Sequence, residues 1–278
     1  VSGFRERIFQ FGENQNLVGI LTEPASAAGS QKPVLIFLNA GVVHHIGPFR
    51  AFTDFARALV DDGFCSFRFD FSGIGDSNLG KSQVTAEQRF IDDAKAAMDL
   101  LQAQLGTATR FILFGLCTGA DNAHKIAAVD NRVSGAIFID GYTYPSAQFM
   151  WRRILPVLLN PRRLLGVLYR IFHKPPAETT APAPIEDSIF TWRLPPKEKA
   201  VEEWTQMLGN GMQMLFIYTG GAYFSYNYEA QLFDAIAVLR KHRDKVAIKL
   251  FMAMDHTFTL SQDRRELLAN VRQWLERF

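Results

Sequence analysis

Cysteine is scarce in this chain: among 278 residues only Cys65 and Cys117 carry a thiol. Two thiols cannot build a disulfide framework, so the fold must rest on its hydrophobic core. Long apolar runs are missing as well. No stretch of about 18 uncharged apolar residues occurs, so no transmembrane helix is expected. The opening VSGFRERIFQF lacks the apolar run of a signal peptide. The expected address is therefore the cytoplasm, where thiols stay reduced. A large excess of either charge is also lacking. With 30 Lys and Arg against 28 Asp and Glu the net charge is +2, and no nucleic-acid partner is expected. One local absence breaks this balance: from Tyr142 to Lys174 there is no Asp or Glu at all. No internal repeat is visible. The single low-complexity segment, PPAETTAPAP at 175–184, reads as a linker.

What is present is apolar material in quantity. Hydrophobic residues make up 48% of the chain and Phe alone contributes 24. That is enough for one large α/β domain, or one domain with an insertion, and for a greasy interior or pocket. FRERIFQF, the polar GENQN and LVGILT predict a β-hairpin over 4–22. VLIFLN after Pro33 is an unbroken apolar run, the signature of a strand buried on both faces of a parallel sheet. Phe52, Phe55, Ala56 and Leu59 fall at helical spacing. FCSFRFDF alternates as a strand, and a helix over 85–104 opens with Thr85 and Gln88 in capping-box spacing. RFILFG and VSGAIFID are strands, with the helical TGADNAHKIAAV between them. The rhythm breaks over 141–211. It then resumes with QMLFIYTG, a helix over EAQLFDAIAVLRKH, the strand VAIKLFMAM and a last helix. Strands alternating with helices predict a mostly parallel, twisted sheet flanked by helices.

Between the strand RFILFG and the helix that follows stands Gly115-Leu116-Cys117-Thr118-Gly119. The spacing is G-x-C-x-G at a strand-to-helix junction. A sharp turn there crowds the residues two before and two after its centre, so small residues are needed at both places. The turn presents the Cys117 side chain at the carboxyl edge of the sheet. The Thr118 N–H, in the first helical turn, is free to donate to a developing oxyanion. The plainer reading of Cys117, a small buried hydrophobe, fits Cys65 better, since Cys65 lies within an alternating strand.

Four segments in chain order resemble the α/β-hydrolase family. They are LIFLNAGVVHHIGP, FRFDFSGIGDS with Asp70, Gly73, Gly75, Asp76 and Ser77, the elbow LFGLCTGA, and MDHTF with His256. The resemblance implies an α/β-hydrolase fold with a core of residues 1–140 and 212–278 and a helical cap or lid at 141–211. It implies Cys117 as nucleophile and His256 as general base, with oxyanion donors from Thr118 and from the backbone near Gly41 or Val42. Asn39 and Ala40 stand where many relatives have His-Gly. The position at which the family usually keeps its acid, in the loop GAYFSYNYE after QMLFIYTG, holds no carboxylate until Glu229. Asp140, at the end of VSGAIFID, is one alternative, Glu229 a second, and a Cys–His dyad without acid a third, since a thiolate–imidazolium pair needs less help than a serine hydroxyl. Asp255 should point elsewhere, and Asp121 reads as a residue of the helix wall. His44 and His45 lack partners at zinc spacing, so no metal or other cofactor is expected; one should line the pocket mouth and the other face solvent.

Dienelactone hydrolases are similar in placing cysteine at the elbow. The LNAGVVHHIGP segment is also similar to hydrolases of unknown substrate associated with bacterial surface-polysaccharide and exosortase systems. Within the expected cap, Trp151, Ile154, Leu155 and Leu158 recur at helical spacing, as do Leu164, Leu165, Leu168 and Phe172. Arg152, Arg153, Arg162, Arg163, Arg170 and Lys174 are set among them. This is either the solvated basic face of a lid or a docking surface for an anionic partner: an acidic acyl-carrier protein, a coenzyme A phosphate or a membrane surface. The function expected is acyl transfer (hydrolase, thioesterase or acyltransferase) on a small-molecule or carrier-bound ester, thioester or lactone through an acyl-Cys117 intermediate. The alternative is a non-catalytic or degenerate α/β-hydrolase that binds a ligand or partner protein.

Overall fold

The computed structural model of the chain describes residues 3–25, 32–81, 83–172, 194–222 and 225–278. The linker reading at 175–184 lies outside them. The predicted hairpin forms from β1 (Phe4–Phe11) and β2 (Leu17–Pro24), paired antiparallel from Phe4↔Pro24 to Phe11↔Leu17. The other strands are β3 (Val34–Phe37), β4 (Ser66–Phe69), β5 (Phe111–Leu116), β6 (Val133–Ile139), β7 (Gln213–Thr219) and β8 (Val246–Phe251). They form one eight-stranded sheet in the order β1-β2-β4-β3-β5-β6-β7-β8. β2 meets β4 antiparallel, and every pair from β4 to β8 is parallel.

Parallel neighbours need crossover connections, and these place helices on both faces. On one face α1 (Ala51–Leu59) packs with the last helix, α9 (Ser261–Leu275). On the other lie α2 (Ala86–Leu105), α3 (Thr118–Val129), α6 (Lys197–Gly209) and the pair α7 (Gln231–Ala235) and α8 (Ala237–Lys241). The buried phenylalanines fill both layers: Phe67, Phe69, Phe71 and Phe111 on the α2 side, Phe37, Phe64, Phe114 and Phe258 on the α1 side. The abundance of Phe is thus largely an interior feature. The alternation of FCSFRFDF is real, yet its polar residues do not face water. Ser66, Arg68 and Asp70 are all buried. Arg68 donates to Thr53 Oγ1 (2.7 Å) and Glu6 Oε1 (2.9 Å), which satisfies a charge that burial would otherwise penalise.

Thr85 caps α2 as its spacing predicted, accepting from the Gln88 N–H at 3.2 Å. The helix expected over EAQLFDAIAVLRKH is instead broken in two. Ile236 adopts extended backbone (φ −127°, ψ 99°) and is fully buried, so the break lets Leu232, Ile236 and Leu239 all reach the core. Between β6 and β7 run α4 (Ala147–Leu158), α5 (Pro161–Phe172) and α6. α6 lies within the stretch expected to form the cap, but it is packed into the sheet layer. Ala200, Trp204, Met207 and Leu208 are buried, and the Trp204 ring meets Phe216 of β7 edge-on at 6.0 Å. α4 behaves differently: of its residues Phe149 alone is buried. The side chains of Leu164, Leu168 and Phe172 in α5 lie outside the description.

Candidate active site

In an open parallel sheet, ligands bind beyond the carboxyl ends of the strands. Here those ends gather residues from four strands. The segment Asn39–Gly41 follows β3, Cys117 follows β5, Asp140 follows β6, and His256 follows β8.

Cys117 sits between β5 and α3 with φ 57° and ψ −124°, a region that L-residues seldom occupy. Its N–H donates to Ile139 O (2.8 Å) and its carbonyl accepts from the Ala120 N–H (2.9 Å). The flanking glycines are required by space. A Cβ on Gly115 would collide with the Gly119 carbonyl, and one on Gly119 would lie 2.7 Å from Asn39 O. The first contact would open the elbow; the second would push the elbow away from the loop after β3. Cys117 is half-buried, whereas Cys65 is buried in the core, where desolvation pushes its thiol up to about 11. That separates a reachable thiol from an inert one.

His256 Nδ1 lies 2.8 Å from Asp140 Oδ2, and the Cys117 thiol stands beside the imidazole. The bond to Asp140, reinforced by the neighbouring Cys117 side chain, pushes the imidazole up to about 10 against the opposing effect of burial. The Asp140 side chain is 2% exposed. Its backbone is left-handed (φ 47°), a conformation Asp adopts more readily than most residues. Besides His256, the carboxylate accepts from the Thr219 N–H (Oδ1, 2.7 Å) and the Thr219 hydroxyl (Oδ2, 2.6 Å).

Thr219 was not singled out in the sequence. It closes β7, and there it holds the Asp140 carboxylate that follows β6. At Gly221 there is no room for a side chain. A Cβ there would lie 2.6 Å from the His256 Cβ. The readable signal was the Thr-Gly-Gly run at the end of QMLFIYTG. Glu229, the second acid considered, is exposed in the segment before α7. Asp255 accepts from Thr257 and Thr259 and closes its own turn. Asp121 accepts from the Tyr142 N–H at 3.2 Å.

Of the expected oxyanion residues, Thr118 and Gly41 are brought together. The Gly41 N–H donates to Thr118 Oγ1 at 2.8 Å, and the Thr118 N–H lies in the first turn of α3, where intrahelical partners are lacking. The Val42 side chain is exposed. Asn39 fastens this loop: its Nδ2 donates to Asp70 Oδ1 (2.6 Å) and to Val43 O (2.9 Å), and its Oδ1 accepts from the Phe71 N–H (2.8 Å).

The His44–His45 pair differs from its reading as a pocket-mouth residue beside a solvated one. His45 is buried, with Nδ1 2.7 Å from Asp70 Oδ2, and His44 Nε2 lies 3.0 Å from Asp76 Oδ2. Ligand-type atoms of His44, His45, Asp70 and Asp76 come within 4.8 Å of one another. Both Asp70 oxygens, however, are taken by hydrogen bonds, from Asn39, from the His45 ring and N–H, and from the Asp76 N–H. Burial alone would push this carboxyl up; those donors hold it below its ordinary value.

The comparisons agree with this architecture. The family model described as serine aminopeptidase, S33, matches residues 30–183, more than half of the chain. An esterase of Pyrococcus furiosus is similar in structure (TM-score 0.60, 16% identity, 99% of this chain and 91% of that one). So is a protein of Klebsiella pneumoniae assigned as a dienelactone hydrolase (TM-score 0.60, 13% identity, 99% and 100%). A protein of Xanthomonas campestris described as an α/β serine hydrolase without lid is similar as well (TM-score 0.55, 13% identity, 98% and 94%). Among the curated proteins no match is found. With its sheet order, its strand-to-helix elbow and its match over residues 30–183, the chain belongs to the serine aminopeptidase S33 family of α/β-hydrolases, with cysteine at the elbow.

Proposed function

We propose that the chain is an acyl-transfer enzyme, acting as a hydrolase, thioesterase or acyltransferase on an ester, thioester or lactone. The observation that carries this reading is the His256 imidazole, bonded to Asp140 at 2.8 Å and standing beside the half-buried Cys117 thiol at the edge of the sheet. The Cys117 Sγ attacks the carbonyl carbon, and the carbonyl π pair moves to oxygen. The Thr118 N–H receives that oxyanion, and the Gly41 N–H exchanges the Thr118 hydroxyl for it. Collapse breaks the bond to the leaving group, which takes the Nε2 proton of His256. Asp140 keeps Nδ1 protonated and so fixes the ring's orientation. Water, an amine or a thiol then gives its proton to His256 and attacks the acyl-Cys117 thioester, and sulfur departs as thiolate.

Cysteine suits this arrangement. Because His256 is held protonated near neutrality, it stands beside the sulfur as an imidazolium, ready to give its proton to the leaving group. A serine alkoxide would gain far less from a base that already carries its proton. The degenerate-hydrolase reading drew its support from the empty acid position, and Asp140 bonded to His256 weakens that support.

The test is alkylation with iodoacetamide at mildly acidic pH. Fast labelling of Cys117 that slows to the rate of a free cysteine in His256→Asn is expected. Labelling of the wild-type chain no faster than free cysteine would refute an activated thiolate.

A further inference from the structure

An amphipathic helix on a protein surface normally turns its apolar stripe inward. α4 does not. Trp151, Ile154, Leu155 and Leu158 lie on one face at i, i+3, i+4 and i+7, and they are 63%, 40%, 47% and 52% exposed. Leu165 and Tyr169, four residues apart on α5, are 65% and 64% exposed. Four exposed arginines, Arg152, Arg153, Arg162 and Arg163, are set among these side chains. Arg152 stacks over the Tyr228 ring at 5.0 Å. Among the described residues none of the four makes an ion pair with a carboxylate.

The charge distribution is lopsided. Residues 142–174 hold six of the chain's 30 basic residues and none of its 28 acidic ones, so the remainder of the chain is net acidic. The helix pair is also anchored at its root. The Ser146 side chain caps α4 by accepting from the Phe149 N–H (3.1 Å), and the Asn227 side chain donates to Phe149 O (3.4 Å). α4 begins seven residues after Asp140, at the carboxyl edge of the sheet. Val42, Phe49 and Met252, in loops at that same edge, are 58%, 57% and 44% exposed.

We propose that α4 and α5 form an interfacial docking surface for a lipid bilayer with anionic headgroups. The indole, the tyrosine ring and the leucines would enter the boundary between headgroups and acyl chains, while the arginines meet lipid phosphates. An acidic protein partner would also satisfy the arginines. The row of exposed apolar side chains on both helices, with aromatic residues at 151 and 169, favours a bilayer. No helix among the described residues is long and apolar enough to cross a membrane, so the chain would lie on the surface. The active-site edge would face the bilayer. This inference concerns binding alone and does not depend on the acyl-transfer reading.

The test is co-sedimentation of the full chain with vesicles of phosphatidylcholine, or of phosphatidylcholine mixed with phosphatidylglycerol, at low and high salt. Binding to the mixed vesicles, loss at high salt, and a blue shift of tryptophan emission that vanishes in Trp151→Phe are expected. Arg153→Ala combined with Arg162→Ala should weaken partitioning by roughly thirtyfold, at about 1 kcal/mol per basic residue. Trp151→Ser with Leu155→Ser should abolish it. These side chains are exposed, so circular dichroism and melting temperature should stay at wild-type values. Absence of binding to the anionic vesicles, equal binding to both vesicle types, or variants that bind as the wild type would overturn the proposal. Retention by an acidic acyl-carrier protein without vesicle binding would overturn it in favour of a protein partner.

Discussion

Asp140 accepts three hydrogen bonds from a left-handed backbone position, a conformation that costs about 1–3 kcal/mol in a non-glycine residue. The strain is tolerated because the turn aims a buried carboxylate at His256. Asp140→Asn keeps the shape and removes the charge. We expect kcat/KM on an activated thioester to fall by roughly 10²–10⁴-fold. The alkaline limb of the pH profile, set by a His256 proton that Asp140 and Cys117 hold to about 10, should move down toward the ordinary histidine value of 6.5. A pH–rate series checks both; an unmoved limb would mean that Asp140 does not govern the imidazole. Thr219 acts through Asp140. Thr219→Val removes the hydroxyl donor and leaves the backbone donor in place, at an expected stability loss of about 1.5–3 kcal/mol for a hydrogen bond to a charged group. Urea unfolding measures that loss. The hydroxyl shares Asp140 Oδ2 with the imidazole, so without it NMR titration should show His256 releasing its proton at higher pH than in the wild type. A purely structural role would leave the titration unchanged. The partner of His256 was the hardest residue to read. Its spacing from Cys117 and His256 carries no motif, and what disclosed it is a hydrogen-bond set spanning 79 and 116 residues of sequence.

At the scale of elements, the elbow depends on two close approaches. Gly119 brings α3 against the carbonyl that ends the β3 segment, and Gly115 lets the helix start directly over the strand. Gly119→Ala forces a Cβ to 2.7 Å from Asn39 O. The expected cost is about 1–3 kcal/mol of overpacking, with a loss of activity larger than stability alone explains, because the loop bearing Gly41 would shift. Thermal unfolding together with iodoacetamide labelling would separate the two effects. The elbow was legible because its glycines obey a local steric rule. So were VLIF, FILF and AIFI, whose unbroken apolar runs have no other stable use than a doubly covered strand. The break at Ile236 was not legible. EAQLFDAIAVLRKH satisfies helical periodicity throughout, and only the tertiary demand to bury Ile236 interrupts it. The position of α6 was hidden for a similar reason. Its periodic Ala200, Trp204, Met207 and Leu208 fit a cap helix as well as a layer helix until the strand beneath them, β7, is in place.

For the whole molecule, the His256–Asp140 pair links proton uptake to folding. An imidazole whose proton is held to about 10 in the folded chain binds more protons than the unfolded chain between pH 6.5 and 10. The pair's contribution to stability is therefore complete below pH 6.5 and declines as pH rises through 10. The imidazole is 40% exposed, so solvent screening keeps this contribution modest. The melting temperature should fall with rising pH across that window, and the fall should be shallower in His256→Asn. Parallel slopes in the two proteins would contradict the linkage.

The proposed chemistry stands or falls on whether sulfur at residue 117 carries the acyl group. Intact-protein mass spectrometry with peptide mapping, after exposure to a panel of activated esters and acyl thioesters, tests it most directly. A single added acyl mass on Cys117 is expected for at least one member of the panel. The adduct should be lost on adding a thiol acceptor and absent in Cys117→Ala. Turnover by Cys117→Ala at the wild-type rate, or an acyl mass mapped to another residue in both proteins, would contradict it.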